Sequence, residues 1–423
     1  MENKVREIYK DDFTEYLLCL ALDVGEGMLK NGGEVSRVED TIERICRAYG
    51  AVHVEVFTII SMINAAVRMP DGSYSSQLRR VKQTTINFNT LERLNALSRK
   101  ICSEKPSLDE FDDLLHELKN ERPYPGWVHT CISALASGVF CIFFGGRALE
   151  TAATVLIGLL VAWILNYPST RLNSMAKTVI SSFCAATLAG LASLCITSLD
   201  VNPIITGVIM LLVPGVLFGT AMRDLLCGDL IAGTLKILQA IIQTLMIGFG
   251  YLLSYALIKE ALLPPVSSGS DDLVLVQLLV SSITSVTFSV VFKINKRHLL
   301  RGMLNGFITF ATYLLIEDLT GSFFWAAFIC SVIAALYAEI GARIVKAPSI
   351  VLLITGLIPM IPGGYLYRAV RDFVCGMNES ALAELGGAVS ISLGMAGGIV
   401  ALTLLYGIAS DYIMKRKNKN KVN

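Results

Sequence analysis

The sequence predicts an α-helical polytopic membrane protein of about ten transmembrane helices, preceded by a small α+β soluble domain. Of 423 residues, 53% are apolar and 17% are charged, and the mean hydropathy of +0.59 is too high for an ordinary soluble protein. Long apolar runs begin at Trp127. A repeated motif further predicts that the membrane helices form a 5+5 inverted repeat.

Residues 1–122 differ from the rest because about a third of them are charged and no apolar run is long enough to span a bilayer. Helical spacing of apolar residues predicts two helices, broken at Asn31-Gly32-Gly33. Alternation over residues 52–57 and a run over 59–69 predict β-strands, followed by a turn at 70–73. Residues 86–101 and 108–118 are predicted to be helices. We expect residues 1–122 to form one α+β domain.

The remaining chain is predicted to form two membrane modules, residues 123–262 and residues 263–423, the second with a basic tail. The candidate spans lie near residues 127–145, 149–167, 174–198, 203–220, 231–258, 272–292, 299–316, 322–341, 348–366 and 384–413.

Lysine and arginine positions predict the orientation of these spans, because cytoplasmic loops are enriched in them. With the N-terminal domain inside, 14 fall in inside loops or the tail and 4 in outside loops. The inside set is Arg171, Lys177, Arg223, Lys293, Lys296, Arg297, Arg301, Arg343, Lys346, Lys415, Arg416, Lys417, Lys419 and Lys421; the outside set is Arg147, Lys259, Arg368 and Arg371. We therefore expect a multi-pass protein of the cell membrane with both termini cytoplasmic. No secretory signal is expected in the charged N-terminal segment.

An internal repeat relates the two modules. A shift of 148 residues aligns the pattern PGx7RDx2CG, from Pro214 to Gly228, with its second copy from Pro362 to Gly376. Each copy falls on the fourth span of a five-span unit. Because five is odd, the two units must enter the bilayer from opposite sides. Such inverted repeats suit alternating access by a secondary transporter; the alternative is that the repeat serves only folding.

The repeated motif also provides the candidate substrate path. Pro214, Gly215, Pro362 and Gly363 fall near the middle of their spans, where proline and glycine favour a broken helix. Half-helix ends at such breaks can bind a carboxylate or an ammonium group, which suits an amino acid or another small carboxylate. Thr206 and Thr355 precede the breaks and could contribute hydroxyl groups. The alternative is that these residues only kink the helices for packing.

The Arg-Asp pair of each copy is a candidate gate. Arg223 lies nine residues beyond Pro214, about 13 Å along a helix and so near the membrane surface. Adjacent residues point in different directions, so Arg223 and Asp224 are expected to contact neighbouring helices rather than each other. We expect Arg223 and Asp224 to close the cytoplasmic mouth. Arg371 and Asp372 would close the outer one, unless these are ordinary interfacial charges.

Charged residues inside the spans are scarce, so each one is a candidate functional group. Glu339 is the candidate proton carrier, and Lys236 lies on the same helix as Gln239 and Gln243. The alternative for Glu339 and Lys236 is that both side chains extend toward the interface.

Other chemistries find little support in the sequence. No CxxC pair or Cys/His cluster has metal-ligand spacing, so neither a metal nor a cofactor is expected. The net charge of +1 gives no basic field for nucleic acid. His53, Glu55, Thr58, Ser61 and His116 suggest a hydrolase as an alternative, but no GxSxG motif or phosphate-binding loop is present. The protein is not expected to be an enzyme.

The whole chain resembles the threonine/serine exporter family. The resemblance rests on LCLALDVGEGMLKNGGEVSRVEDTIERICRAYG, on VEVFT and LRRVKQTTINFNTLERLNALSRKI, and on a second membrane module with PGG and RD. It implies export of threonine and serine, driven by the proton gradient, by a fusion of modules that also occur as separate subunits. Some split members resemble dicarboxylate exporters, so a succinate-like substrate stays an alternative. The resemblance transfers no site residues. The small solute and the lipid bilayer are the expected partners; a homo-oligomer is compatible with the sequence.

Overall fold

The computed structural model describes residues 12–82, 85–119, 124–167, 172–226, 228–262 and 274–422. The N-terminal part forms helices around a three-stranded antiparallel sheet of order β1-β2-β3. Its elements are α1 (Phe13–Lys30), α2 (Val35–Ala48), β1 (His53–Ile59), β2 (Met62–Arg68), β3 (Tyr74–Arg80), α3 (Phe88–Glu104) and α4 (Leu108–Lys119). The α+β prediction is confirmed, although β3 was not assigned from the sequence.

Local signals set these boundaries. Asp12 caps α1 by accepting hydrogen bonds from the amides of Thr14 and Glu15. Ser107 accepts one from the Glu110 amide at the start of α4. Gly72 has a φ of +91° in the turn between β2 and β3, a conformation that glycine adopts without strain.

The rest of the described chain is helical. Its helices are α5 (Gly126–Phe143), α6 (Ala148–Asn166), α7 (Ser174–Cys195), α8 (Val201–Ile209), α9 (Gly215–Leu226), α10 (Leu230–Leu262), α11 (Val274–Val291), α12 (Leu299–Thr320), α13 (Phe323–Val345), α14 (Ser349–Leu357), α15 (Gly363–Val374) and α16 (Asn378–Val422). Among the described residues, eight helices are long and apolar enough to span a membrane, and a bent pair over residues 349–374 makes a ninth if counted as one span. A count of ten additionally treats α8 and α9 as one broken span, and it stays a prediction.

Both copies of the repeated motif have the same local structure. The helix stops before the proline, and the Gly215 amide donates to the Val213 carbonyl at 2.9 Å, as the Gly363 amide does to the Ile361 carbonyl at 2.7 Å. Helix α9 is followed by Gly228 at φ +97° and α15 by Gly376 at φ +79°, the usual C-terminal glycine geometry. Proline and glycine therefore break the helix at the same place twice.

The two breaks pack directly against each other. A Cβ on Gly215 would meet the Ile361 side chain, and a Cβ on Gly363 would meet the side chains of Val213 and Met210. Val213 and Ile361 are equivalent in the repeat, as are the two glycines, so the contact is reciprocal. Absence of a side chain at both glycines lets the backbones approach closely.

The two broken segments run antiparallel. Beyond the breaks, Arg371 near the end of α15 donates to the Asn202 side chain near the start of α8, at 2.9 Å. Residues near the end of one segment therefore lie beside residues near the start of the other. Helix α9 also contacts α16, and α15 contacts α10. These two contacts are equivalent, because the repeat relates α9 to α15 and α10 to α16.

Equivalent small residues also pack the neighbouring helices of each copy. A Cβ would be blocked at Gly158 by Ser137, at Gly306 by Ser285, at Gly250 by the Val179 carbonyl and at Gly398 by the Phe328 carbonyl. The first two contacts join α5 to α6 and α11 to α12. The other two join α7 to α10 and α13 to α16, and small residues of this kind allow close packing of membrane helices.

The N-terminal domain is joined to the helices through the turn between α11 and α12. The amides of Phe88 and Asn89 donate to the carbonyls of Phe292 and Lys293, both at 3.1 Å. Glu92, only 4% exposed, accepts hydrogen bonds from Arg297 and lies 3.2 Å from Nε2 of His298. Burial alone would raise the pKa of the Glu92 carboxyl, but the bonds from His298 and Arg297 hold it below its usual value.

Alanine at Gly215 should destabilise the membrane core, because its Cβ would lie 2.5 Å from Cγ2 of Ile361. Overpacking of this kind costs about 1–3 kcal/mol, measured as a lower unfolding temperature of the purified protein. Gly386→Ala is the control, since nothing lies within 4 Å of its Cβ position.

Ile361→Ala should then rescue Gly215→Ala but not Gly363→Ala, whose Cβ would meet Met210 and Val213 instead. Strictly additive losses in both double variants would contradict the reciprocal contact.

Glu92→Gln should weaken the contact between the N-terminal domain and the turn that joins α11 to α12, because a hydrogen bond to a charged group stabilises such a contact by about 2 kcal/mol. Hydrogen exchange at the Phe88 and Asn89 amides would then accelerate about 30-fold. Because the folded-state pKa of Glu92 is lowered, this stabilisation is present above the ordinary value of 4.5 and is lost as the pH falls through the folded-state value. Glu104→Gln on the same helix, at a side chain 60% exposed, should change neither amide. Equal exchange in both variants would refute the role of Glu92.

Candidate functional site

A cavity of about 310 Å³ lies between the N-terminal domain and the two breaks. The domain lines it with Leu29, Gly32, Gly33, Ile60, Thr85 and Ile86. The first break contributes residues 210–217, and the second contributes Ile358 and Ile361. The volume is at the lower end of the range for small-molecule sites, about 300–1,000 Å³, so the cavity fits a small solute.

Polar side chains on one wall give this cavity its chemistry. Thr220 of α9 and Lys236, Gln239 and Gln243 of α10 line it, and Phe140, Phe288 and Phe292 contribute aromatic lining. The Gln243 side-chain amide donates to the Leu212 carbonyl at 2.8 Å. It therefore satisfies a backbone acceptor that the broken helix leaves without an intrahelical partner.

Lys236 is the only charged residue among the described residues that line the cavity. Its Nζ lies 2.5 Å from Oδ2 of Asp224, and the two residues are 6% and 2% exposed. The ammonium group of Lys236 is therefore held by a buried carboxylate. Sequence reasoning noticed the residue but had no signal for its partner, which lies on the preceding helix.

A polar network occupies the opposite end of the broken segments. Arg371 donates to Asp372 at 2.7 Å and to Asn202 at 2.9 Å, and Ser380 of α16 donates to Asp372 at 2.6 Å. These bonds tie α15 to α8 and α16. A void of about 10 Å³ lies between this network and the first break, no more than one water molecule needs.

The predicted substrate-path residues do not all meet at the cavity. Pro214 and Gly215 line it, and Gly363, which follows Pro362, packs against Val213 and Met210 in its wall. The hydroxyl of Thr206 donates to the Asn202 carbonyl and that of Thr355 to the Leu352 carbonyl, both at 2.7 Å. Each threonine thus bonds within its own helix.

The predicted gate residues form the expected contacts only in part. Asp224 contacts the neighbouring helix, as expected, through Lys236. Arg371 and Asp372 bond to each other although they are adjacent, because the long arginine side chain folds back to the carboxylate. The side chain of Arg223 lies outside the described part of the structure, as does Arg171 of the inside-loop set.

Glu339, the predicted proton carrier, lies on α13 at 3.7 Å from Arg343, with 32% of its side chain exposed. It is not among the described residues lining the cavity. Its proposed role therefore has no geometric support from the cavity.

The residues that suggested a hydrolase are dispersed. His53 and Glu55 are exposed on one face of β1, whereas Thr58 is buried on the other. His116 lies on α4 beside Asp112. Within the described residues, no group of three or more His, Cys, Asp or Glu side chains could hold a metal ion.

Comparisons with known proteins agree with this architecture. The family described as "Putative threonine/serine exporter" matches residues 19–258, and "Threonine/Serine exporter, ThrE" matches residues 277–405. No solved structure matches the chain significantly.

Similar proteins include a probable threonine/serine exporter of Mycobacterium tuberculosis, 23% identical over 92% of this chain and 76% of that protein. A threonine/serine exporter of Corynebacterium glutamicum is 21% identical over 91% of this chain and 81% of its own. Pheromone-regulated membrane protein 10 of Saccharomyces cerevisiae is 24% identical over 43% of this chain and 49% of its own length. The first family match alone covers more than half of the chain, and the protein therefore belongs to the threonine/serine exporter family of membrane transporters.

Proposed function

We propose that this protein is a secondary active exporter of small polar amino acids, with threonine and serine as substrates. The observation that carries the proposal is the cavity at the meeting point of two broken helices, with Lys236 of a buried ion pair in its lining. Irregular backbone inside a membrane protein is tolerated where it lines such a cavity. Two relatives that align over most of this chain are named as threonine/serine exporters, which supports the substrate class.

Alternating access is the proposed mechanism, with residues 123–262 and 263–423 as two inverted five-helix modules. The reciprocal contacts of Gly215 with Ile361 and of Gly363 with Val213 support it, as does the antiparallel course of the two segments. Two modules related in this way can exchange conformations, which would move the access path from one side of the breaks to the other.

The cavity faces the N-terminal domain, which supports a state with access on that side. We place this domain and both termini in the cytoplasm, on the basis of the lysine and arginine distribution. The Arg371, Asp372, Asn202 and Ser380 network then closes the outer side, and export would require it to separate. Proton coupling is part of the proposal, and Glu339 is its candidate carrier from the sequence.

Transport by the purified protein in proteoliposomes tests this function directly. Vesicles loaded with radiolabelled threonine, serine or succinate should release the amino acids faster than protein-free vesicles, and an acidic exterior should accelerate release. Succinate efflux exceeding threonine efflux would instead indicate the dicarboxylate alternative. Equal efflux with and without the pH gradient would refute proton coupling, and no efflux of either amino acid would refute the function.

The same preparation can be screened with ester and peptide substrates. Turnover there would support the hydrolase alternative, which the dispersed positions of His53, Thr58 and His116 do not favour.

A further inference from the structure

We propose that Lys236 binds the carboxylate of a zwitterionic substrate, and that Asp224 keeps this site neutral so that dicarboxylates are disfavoured. The inference rests on the proposed export function and assigns its recognition residue.

The ion pair is placed where a substrate must pass. Lys236 lines the cavity beside residues of the first break, while Asp224 holds its ammonium group from behind the wall. Two buried charges in spanning helices are costly to desolvate, and a pair of apolar residues would stabilise the fold at least as well. Such charges in membrane helices are functional candidates by default.

The balance of charge at this site selects among the candidate substrates. The pair of Lys236 and Asp224 carries no net charge, and a zwitterion adds none to it. The carboxylates of Glu34 and Asp229 also act on this pair, so they add to the repulsion of an anionic substrate. A dicarboxylate would bring two negative charges to a wall whose single cation is already paired. Because charges interact strongly away from bulk water, that imbalance is costly.

Neighbouring polar groups suit the ammonium end of the same substrate. The Thr220 hydroxyl donates to the Val216 carbonyl, and the Gln243 amide nitrogen donates to the Leu212 carbonyl. Since these donors are engaged by the protein, the oxygen atoms of both side chains remain as acceptors. An ammonium group, which only donates, is the complementary partner.

The repeat shows that the lysine at position 236 is not a packing feature common to both copies. Shifting by 148 residues places Glu384 at the position of Lys236 and Arg368 at that of Thr220. In the second copy Arg368 and Glu384 form an ion pair at 2.8 Å. In each copy an ion pair therefore joins the helix after the break to the next helix. The acid lies on the first of these helices in one copy and the base lies there in the other. A substrate with one charge of each sign matches both.

Efflux from proteoliposomes tests the assignment through the two single variants. Lys236→Gln should lower threonine efflux about tenfold or more, mainly by raising KM, because the carboxylate loses its cation. Asp224→Asn should raise the ratio of succinate to threonine efflux about tenfold, because Lys236 then stands uncompensated. Lys259→Gln, an exposed lysine on the same helix, should leave both rates unchanged.

The double variant Asp224→Asn with Lys236→Gln guards against misfolding, because it removes both members of the buried ion pair together. It should insert at the wild-type level and still lose threonine efflux. Wild-type threonine kinetics in a folded double variant, or an unchanged succinate ratio in Asp224→Asn, would overturn the inference while leaving the export function standing.

Thermal unfolding in detergent separates this inference from the proposed function. Threonine should raise the unfolding temperature of the wild-type protein but not of the double variant. Wild-type protein that shows this shift without transporting would refute export and retain the site; absence of any shift would overturn the site.

Discussion

The mutual contact of the two helix breaks is the constraint on which the membrane structure depends. Each break places a glycine against the side chain that precedes the other glycine by two residues, so the backbones can approach only if both positions lack a Cβ. The contact fixes the antiparallel course of the two segments and puts four half-helices around one point. Because unpaired backbone groups are costly in lipid, these breaks are stable only when enclosed by the surrounding helices.

The cavity and its chemistry follow from that arrangement. Gln243 supplies a donor to the Leu212 carbonyl at the first break, and Lys236 lies about two helical turns away on α10, against Asp224. The N-terminal domain lines the remaining side of the cavity, and Glu92 holds it against Arg297 and His298. The N-terminal domain and the membrane core thus share one boundary, at the cavity.

Much of the fold could be predicted from the sequence, because apolar run length, proline and glycine act locally. The breaks at Pro214 and Pro362 are examples, as is the cap at Ser107. Partners across helices could not be predicted in the same way. Nothing in the sequence indicates that Asp224 meets Lys236, or that Thr206 bonds to its own helix. The repeat did contain an unused signal, since the 148-residue shift also aligns Ser137 with Ser285 and Gly158 with Gly306.

The central claim is that the two five-helix modules lie inverted in the membrane, and cysteine labelling at equivalent positions tests it most directly. Leu230 and Asn378 are exposed, and each lies two residues beyond the glycine that ends its motif. In a variant without native cysteines, a membrane-impermeant maleimide should label cysteine at position 378 in intact cells. It should label position 230 only after permeabilisation. The same response at both positions would place the two loops on one side of the membrane and contradict the inverted arrangement.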